Sequence, residues 1–149
     1  MAETQRRTVT FNCPGFNTTT EQPHFINEGN FGEDVAKRVG EELKALGCTV
    51  QDEIGQEDHG WYVSFTTAGT PYTFVVGIRD ADTQDWVGWV ERDAGCLGSM
   101  FGGRARGIAD AALRVVAAAV RALPGVTNIQ WHVSAAFDAG REDEGTSEP

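Results

Sequence analysis

From Gly60 to Arg92 the chain reads GWYVSFTTAGTPYTFVVGIRDADTQDWVGWVER, three runs of alternating side chains separated by turn residues. Trp61, Val63 and Phe65 alternate with Tyr62, Ser64 and Thr66. Tyr72, Phe74, Val76 and Ile78 alternate with Thr73, Val75, Gly77 and Arg79. Successive side chains of a strand point to opposite faces, so a period of two predicts strands with one apolar face. The aromatic and β-branched residues suit a pleated, half-buried surface. Ala68-Gly69-Thr70-Pro71 predicts a hairpin between the first two runs, and Asp80 to Thr83 is a polar break before the third, Trp86 to Arg92. In that third run Trp86, Gly88 and Val90 oppose Val87, Trp89 and Glu91, so each face receives a Trp and the register stays open. One face must pack on helices. The other then presents an aromatic among threonines, a contact surface unless a loop or terminus covers it.

The remaining chain reads as cover for this sheet. Arg7 to Asn12 alternates Val9 and Phe11 with threonines and predicts a strand. Residues 16–32 form a long polar connection with Phe25, Ile26 and Phe31 as its apolar pins; loops of that length are uncommon in compact domains. Glu33 to Leu46 predicts a helix with Val35, Val39, Leu43 and Leu46 on its apolar stripe, acidic residues at its start and Gly47 as its stop. Thr49 to Ile54 predicts a strand, and Gly55 to Gly60 a polar turn. After a glycine-rich stretch, Asp93 to Gly107, the spacing predicts a helix over Ile108 to Leu123 and a last strand over Val126 to Val133. The order β-α-β-β-β-β-α-β predicts an α+β two-layer sandwich: a mostly antiparallel sheet with two helices on one face. Residues 1–133 form one domain by this reading, and residues 134–149, rich in Gly, Glu and Asp, an acidic disordered tail.

At 149 residues the chain is long enough for one domain with a core that needs no disulfide or metal staple. Cys13, Cys48 and Cys96 are odd in number and far apart, so the sequence shows no disulfide framework. No run reaches the about 18 apolar residues of a membrane span, and no apolar segment follows Arg6 and Arg7, which argues against a secretory signal. A cytoplasmic setting is the expectation. Net charge is −10, of which Asp138 to Pro149, with five acids and one Arg, carries −4. Such a surface repels phosphate backbones, which excludes nucleic acid as the expected partner, and it accelerates encounter with a basic protein.

Few motifs carry chemistry. Glu57-Asp58-His59 is where carboxylates and an imidazole cluster, but neighbouring residues on a strand point apart, so a solvated turn is the expectation. His24, His59 and His132 fall on three elements with no CxxC or HExxH spacing, so no metal site is predicted. GSMFGGRA, Gly98 to Ala105, approaches the phosphate loop G-x-x-x-x-G-K-[ST], with Arg104 in the Lys place. Ala105 replaces the Mg²⁺-ligating hydroxyl, so the metal chemistry fails. Glycine amides with Arg104 and Arg106 ahead of a helix retain the means to hold an anion. No GxSxG and no nucleophile beside a base occurs, so no catalytic residue and no cofactor are predicted.

Four features lie in sequence order: Leu43-Lys44-Ala45-Leu46-Gly47 ending a helix, Glu57-Asp58-His59-Gly60-Trp61 leading into a hairpin, the Gly/Phe/Arg stretch Leu97 to Arg104, and Asn128-Ile129-Gln130-Trp131-His132 in the last strand. In this pattern, over roughly residues 33 to 133, the chain resembles a group of small uncharacterised bacterial α+β proteins with an E-D-x-G-W hairpin start and an I-x-W strand after the C-terminal helix. The resemblance implies the fold and brings no activity with it.

Two functional expectations follow. The first is a non-enzymatic binding protein of immunity or adaptor type, which captures a basic partner protein through an acidic, aromatic-bearing sheet face, with Trp86, Trp89, Glu91, Glu57 and Asp58 as contacts. The alternative is a small anionic-ligand binder or enzyme using residues 95–107, with Arg79, Arg104 and Arg106 on the anion. The sheet face also allows a homodimer.

Overall fold

A computed structural model describes residues 5–58, 60–92 and 107–149; His59, Cys96, Arg104, Arg106 and most of the glycine-rich stretch lie outside the described residues. The elements are β1 (Arg6–Asn12), α1 (Glu33–Ala45), β2 (Thr49–Val50), β3 (Gly55–Glu57), β4 (Gly60–Thr67), β5 (Thr70–Asp80), β6 (Asp85–Arg92), α2 (Asp110–Arg121), β7 (Thr127–Val133) and α3 (Ser134–Asp138), followed by a 3₁₀ turn at Glu142–Glu144. The fold is α+β. Its sheet runs β2-β4-β5-β6-β1-β7, with β3 continuing the β2 edge alongside β4. Every described strand pairing is antiparallel.

The register settles which face is which. Trp61 faces Val76, Val76 faces Gly88 and Gly88 faces Val9, so these share one face with Val63, Phe74, Trp86, Phe11 and Trp131. That face is the core. Onto it pack Val35, Ala36, Val39 and Leu43 of α1 and Leu113, Val116, Ala117 and Val120 of α2. Burying each of the larger aliphatic or aromatic side chains contributes about 1.5–3 kcal/mol. The small residues of α2 let it approach α1 closely.

Trp86 is fully buried here, and its Nε1 donates to the Cys13 carbonyl at 3.1 Å. It is a core residue and cannot serve as the partner anchor expected of it. Its strand commits this side to the core because of Gly88: a Cβ there would stand 2.5 Å from Phe74 Cζ, so the glycine makes room for that ring.

The predicted strand over 49–54 is two short strands. The acidic run Asp52-Glu53 bulges away between them, and the expected turn at 55–57 instead pairs with β4. Helix α1 closes with Gly47 N–H on Lys44 and Cys48 N–H on Leu43, so the apolar stripe ends at Leu43 and Leu46 is 49% exposed. Helix α2 is shorter than expected, although Ile108 and Leu123 at its flanks are buried.

The long loop is fastened to the β3–β4 hairpin. Phe25 packs on Trp61 at 5.2 Å and on Phe31 at 6.0 Å, and Trp61 Nε1 donates to the Asn30 carbonyl at 2.6 Å. Ile26, expected as a third pin, is 79% exposed.

Candidate functional site

The second face of the sheet carries Tyr62, Val75, Val87, Trp89 and Glu91, together with Thr8, Thr10 and His132, by the same register. Where the sequence predicts a disordered tail, the chain turns out of β7 into α3 and crosses this face. Phe137 lies 5.0 Å from the His132 ring, and the Thr8 and Ser134 hydroxyls bond to each other out of solvent. Beyond the 3₁₀ turn the chain returns to the open edge of β7. There Trp131 N–H donates to Thr146 O at 2.6 Å and Thr146 N–H to Trp131 O at 2.9 Å. An unpaired sheet edge is thereby covered by the chain's own C-terminal segment.

Between α3 and β6 lies a groove of about 290 Å³, lined by Arg7, Thr8, Val87, Trp89, Glu91, Ser134, Phe137 and Asp138. Trp89 is half-buried in it and opposes Thr8 across the β1–β6 pair. Its Nε1 donates to Glu91 Oε1 at 2.9 Å, a charge-assisted bond that fixes the carboxylate at the indole edge. Arg7 reaches the Val90 carbonyl at 3.4 Å. An aromatic face flanked by the Glu91 and Asp138 carboxylates suits a cation with an apolar stem.

The expected contact residues therefore divide. Trp89 and Glu91 come together, and Trp86 is removed into the core. Glu57 follows Gln56, which shares the core-face row of Trp61, Val76 and Gly88; this places Glu57 on the second face but three strands from β6, about 14 Å at about 4.8 Å per strand. Asp58 is exposed in the adjoining turn, where its carbonyl accepts from Asn27 at 3.2 Å. Neither lines the groove.

Of the expected anion ligands, Arg104 and Arg106 lie outside the described residues. Arg79 is engaged with Asp85 at 3.3 Å and with Glu142 at 2.6 Å, and its guanidinium sits 5.2 Å from the Phe137 ring centre. Those contacts make Arg79 an anchor for the C-terminal segment. Among the described residues no group of three His, Cys, Asp or Glu gathers in the manner of a metal site. Burial pushes the Cys13 and Cys48 thiols up from their ordinary range, away from thiolate character.

The groove residues contributed by α3 escaped the sequence reading. Val133, Ala136 and Phe137 stand at i, i+3 and i+4, the spacing of one helical face, and an aromatic within an acidic tail was the available signal. Comparison with known proteins finds no matching family model, no similar curated protein and no similar solved structure.

Proposed function

We propose that this chain is a non-enzymatic binding protein that captures a basic partner, taking a Lys or Arg side chain of that partner into the groove between α3 and β6. The stem lies along Val87, Trp89 and Phe137, and the cationic head meets Glu91 and Asp138. The observation that carries this reading is the bond from Trp89 to Glu91, which holds an aromatic face and a carboxylate in one place. A cation over an indole contributes about 0.5–2 kcal/mol according to its desolvation. The net charge of −10 supplies long-range attraction for such a partner. Among the described residues no helix is long and apolar enough to cross a membrane.

The test is a pulldown with the tagged chain at low and moderate salt, run beside Trp89→Ala and Glu91→Gln. The expected result is a stoichiometric basic protein held by the unaltered chain and lost from both variants. A clean bait, or a partner retained equally by both variants, overturns the reading.

A further inference from the structure

Several anchors of residues 134–149 lie around one buried imidazole. His132 is 2% exposed, and its Nε2 meets Thr10 Oγ1 at 2.9 Å. The Phe137 ring covers it, and among the described residues Nδ1 has no hydrogen-bond partner. Gly145 borders the same ring: a Cβ there would stand 2.5 Å from Gln130 Oε1, 2.7 Å from His132 Cε1 and 3.0 Å from Nδ1. Around this centre Arg79 holds Glu142, and Arg6 Nη1 donates to the Trp131 carbonyl at 3.2 Å and the Glu144 carbonyl at 2.8 Å. Arg121 on α2 holds Glu148 at 2.7 Å. Besides Phe137, the buried Ala136, the Thr8–Ser134 bond, the Arg6 bond to Glu144 and the single bridge at Thr146, the segment is held by ion pairs at the surface, each of which contributes little.

We propose that residues 134–149 form an acid-released strap, which stays closed over the second face while His132 is neutral and detaches when His132 takes a proton. A protonated imidazole carries two N–H donors. Thr10 accepts from one; among the described residues no group accepts from Nδ1–H while the strap is closed. The charged groups facing the ring are Arg6 from β1, Arg79 from β5 and Glu142 from the 3₁₀ turn, and Glu142 is already paired with Arg79. Arg141 and Glu144, themselves paired at 3.0 Å, line the small cavity beside the ring together with Arg6. Opening the strap gives the charged ring water. Burial first, then Arg79 and Arg6, hold the His132 pKa below its ordinary 6.5, against the pull of Glu142. The open state therefore binds the proton more readily, and closure is lost as pH falls from 6.5 toward the lowered value. Because Ser134, Phe137 and Asp138 wall the groove, release also dismantles the proposed binding site, a consequence that rests on the function proposed above.

The test is amide hydrogen exchange on the full chain without any partner, at about pH 7.5 and about pH 5, the range over which a histidine changes charge. Gly140, Arg141 and Thr146 report the strap through their bonds to Phe137, Ala136 and Trp131; Val63 and Phe74 report the core. The expected result is that strap protection falls by up to roughly tenfold per pH unit below the ordinary histidine pKa while core protection holds. His132→Gln, which keeps a donor toward Thr10, makes strap protection independent of pH. Gly145→Ala opens the strap at the higher pH with the core intact: its backbone, at φ −65°, accepts alanine, but the new methyl presses on Gln130 Oε1 and on the ring. Strap protection unchanged with pH in the unaltered chain, acid release persisting in His132→Gln, or strap and core opening together would each overturn the proposal. None of these readouts involves a partner, so their failure leaves the groove reading standing.

Discussion

Phe74 places its ring where a side chain on Gly88 would stand, and this contact decides which face of β6 is buried. Any larger residue at position 88 must displace the ring or spread β5 from β6. Gly88→Ala is therefore an overpacking change in a dense core, expected to destabilise the fold by about 1–3 kcal/mol. Urea denaturation should show a lowered midpoint with an unchanged slope. A midpoint equal to that of the unaltered chain would mean that Phe74 relaxes freely and that Gly88 does not set the register.

That contact also explains what could be read from the sequence and what could not. The alternation in β4 and β5 reports burial directly, because every second residue there is large and apolar. In β6 both faces carry a Trp, so alternation is silent and the deciding information lies in a small residue opposite a large one on another strand. The C-terminal segment was illegible for a different reason. Its order comes from Phe137 on His132, Arg79 on Glu142 and Thr146 on Trp131, contacts with β5 and β7, not from any pattern of its own. The break between β2 and β3 is likewise a property of pairing with β4.

The two indoles of β6 should behave oppositely. Trp86→Ala empties a fully enclosed site and strands the Cys13 carbonyl, so a loss of about 3–5 kcal/mol is expected. Trp89 is half-buried at a groove, and Trp89→Ala should cost clearly less while abolishing capture of the partner. Thermal unfolding of both variants, beside the pulldown, separates a stability role from a contact role. Equal destabilisation would make Trp89 a core residue and remove the anchor of the proposed function.

The long loop gives a similar contrast between neighbours. Phe25 packs on Trp61 and Phe31, whereas Ile26 stands in solvent with only its backbone N–H engaged, on Gln56 Oε1 at 3.0 Å. Ile26→Ser should change stability by no more than about 0.5 kcal/mol, the range of surface substitutions away from special contacts. Phe25→Ala should exceed that and free the loop. Proteolysis between residues 16 and 32 measures it: faster cleavage in the Phe25 variant and unchanged cleavage in the Ile26 variant are the expected outcomes.

Asp85 and His132 impose opposite slopes on the pH dependence of stability, in different windows. Burial raises the Asp85 pKa above 3.8; Glu142 and Asp80 add to this, and Arg79 opposes it. Between that raised value and 3.8 the native state holds a proton that the unfolded chain has released, so this group alone makes stability rise as pH falls. His132 acts at higher pH, where its depressed value means that the unfolded chain binds the proton first and stability falls as pH drops below 6.5. Asp85→Asn removes the compensating term but keeps the side-chain shape. Its stability should therefore decline more steeply than that of the unaltered chain in the acid window, with the slope through the histidine window retained. Urea midpoints collected at intervals across both windows would show it. An unchanged acid slope would mean that Arg79, holding Asp85 and Glu142 together, keeps the Asp85 carboxylate charged as readily in the folded chain as in the unfolded one.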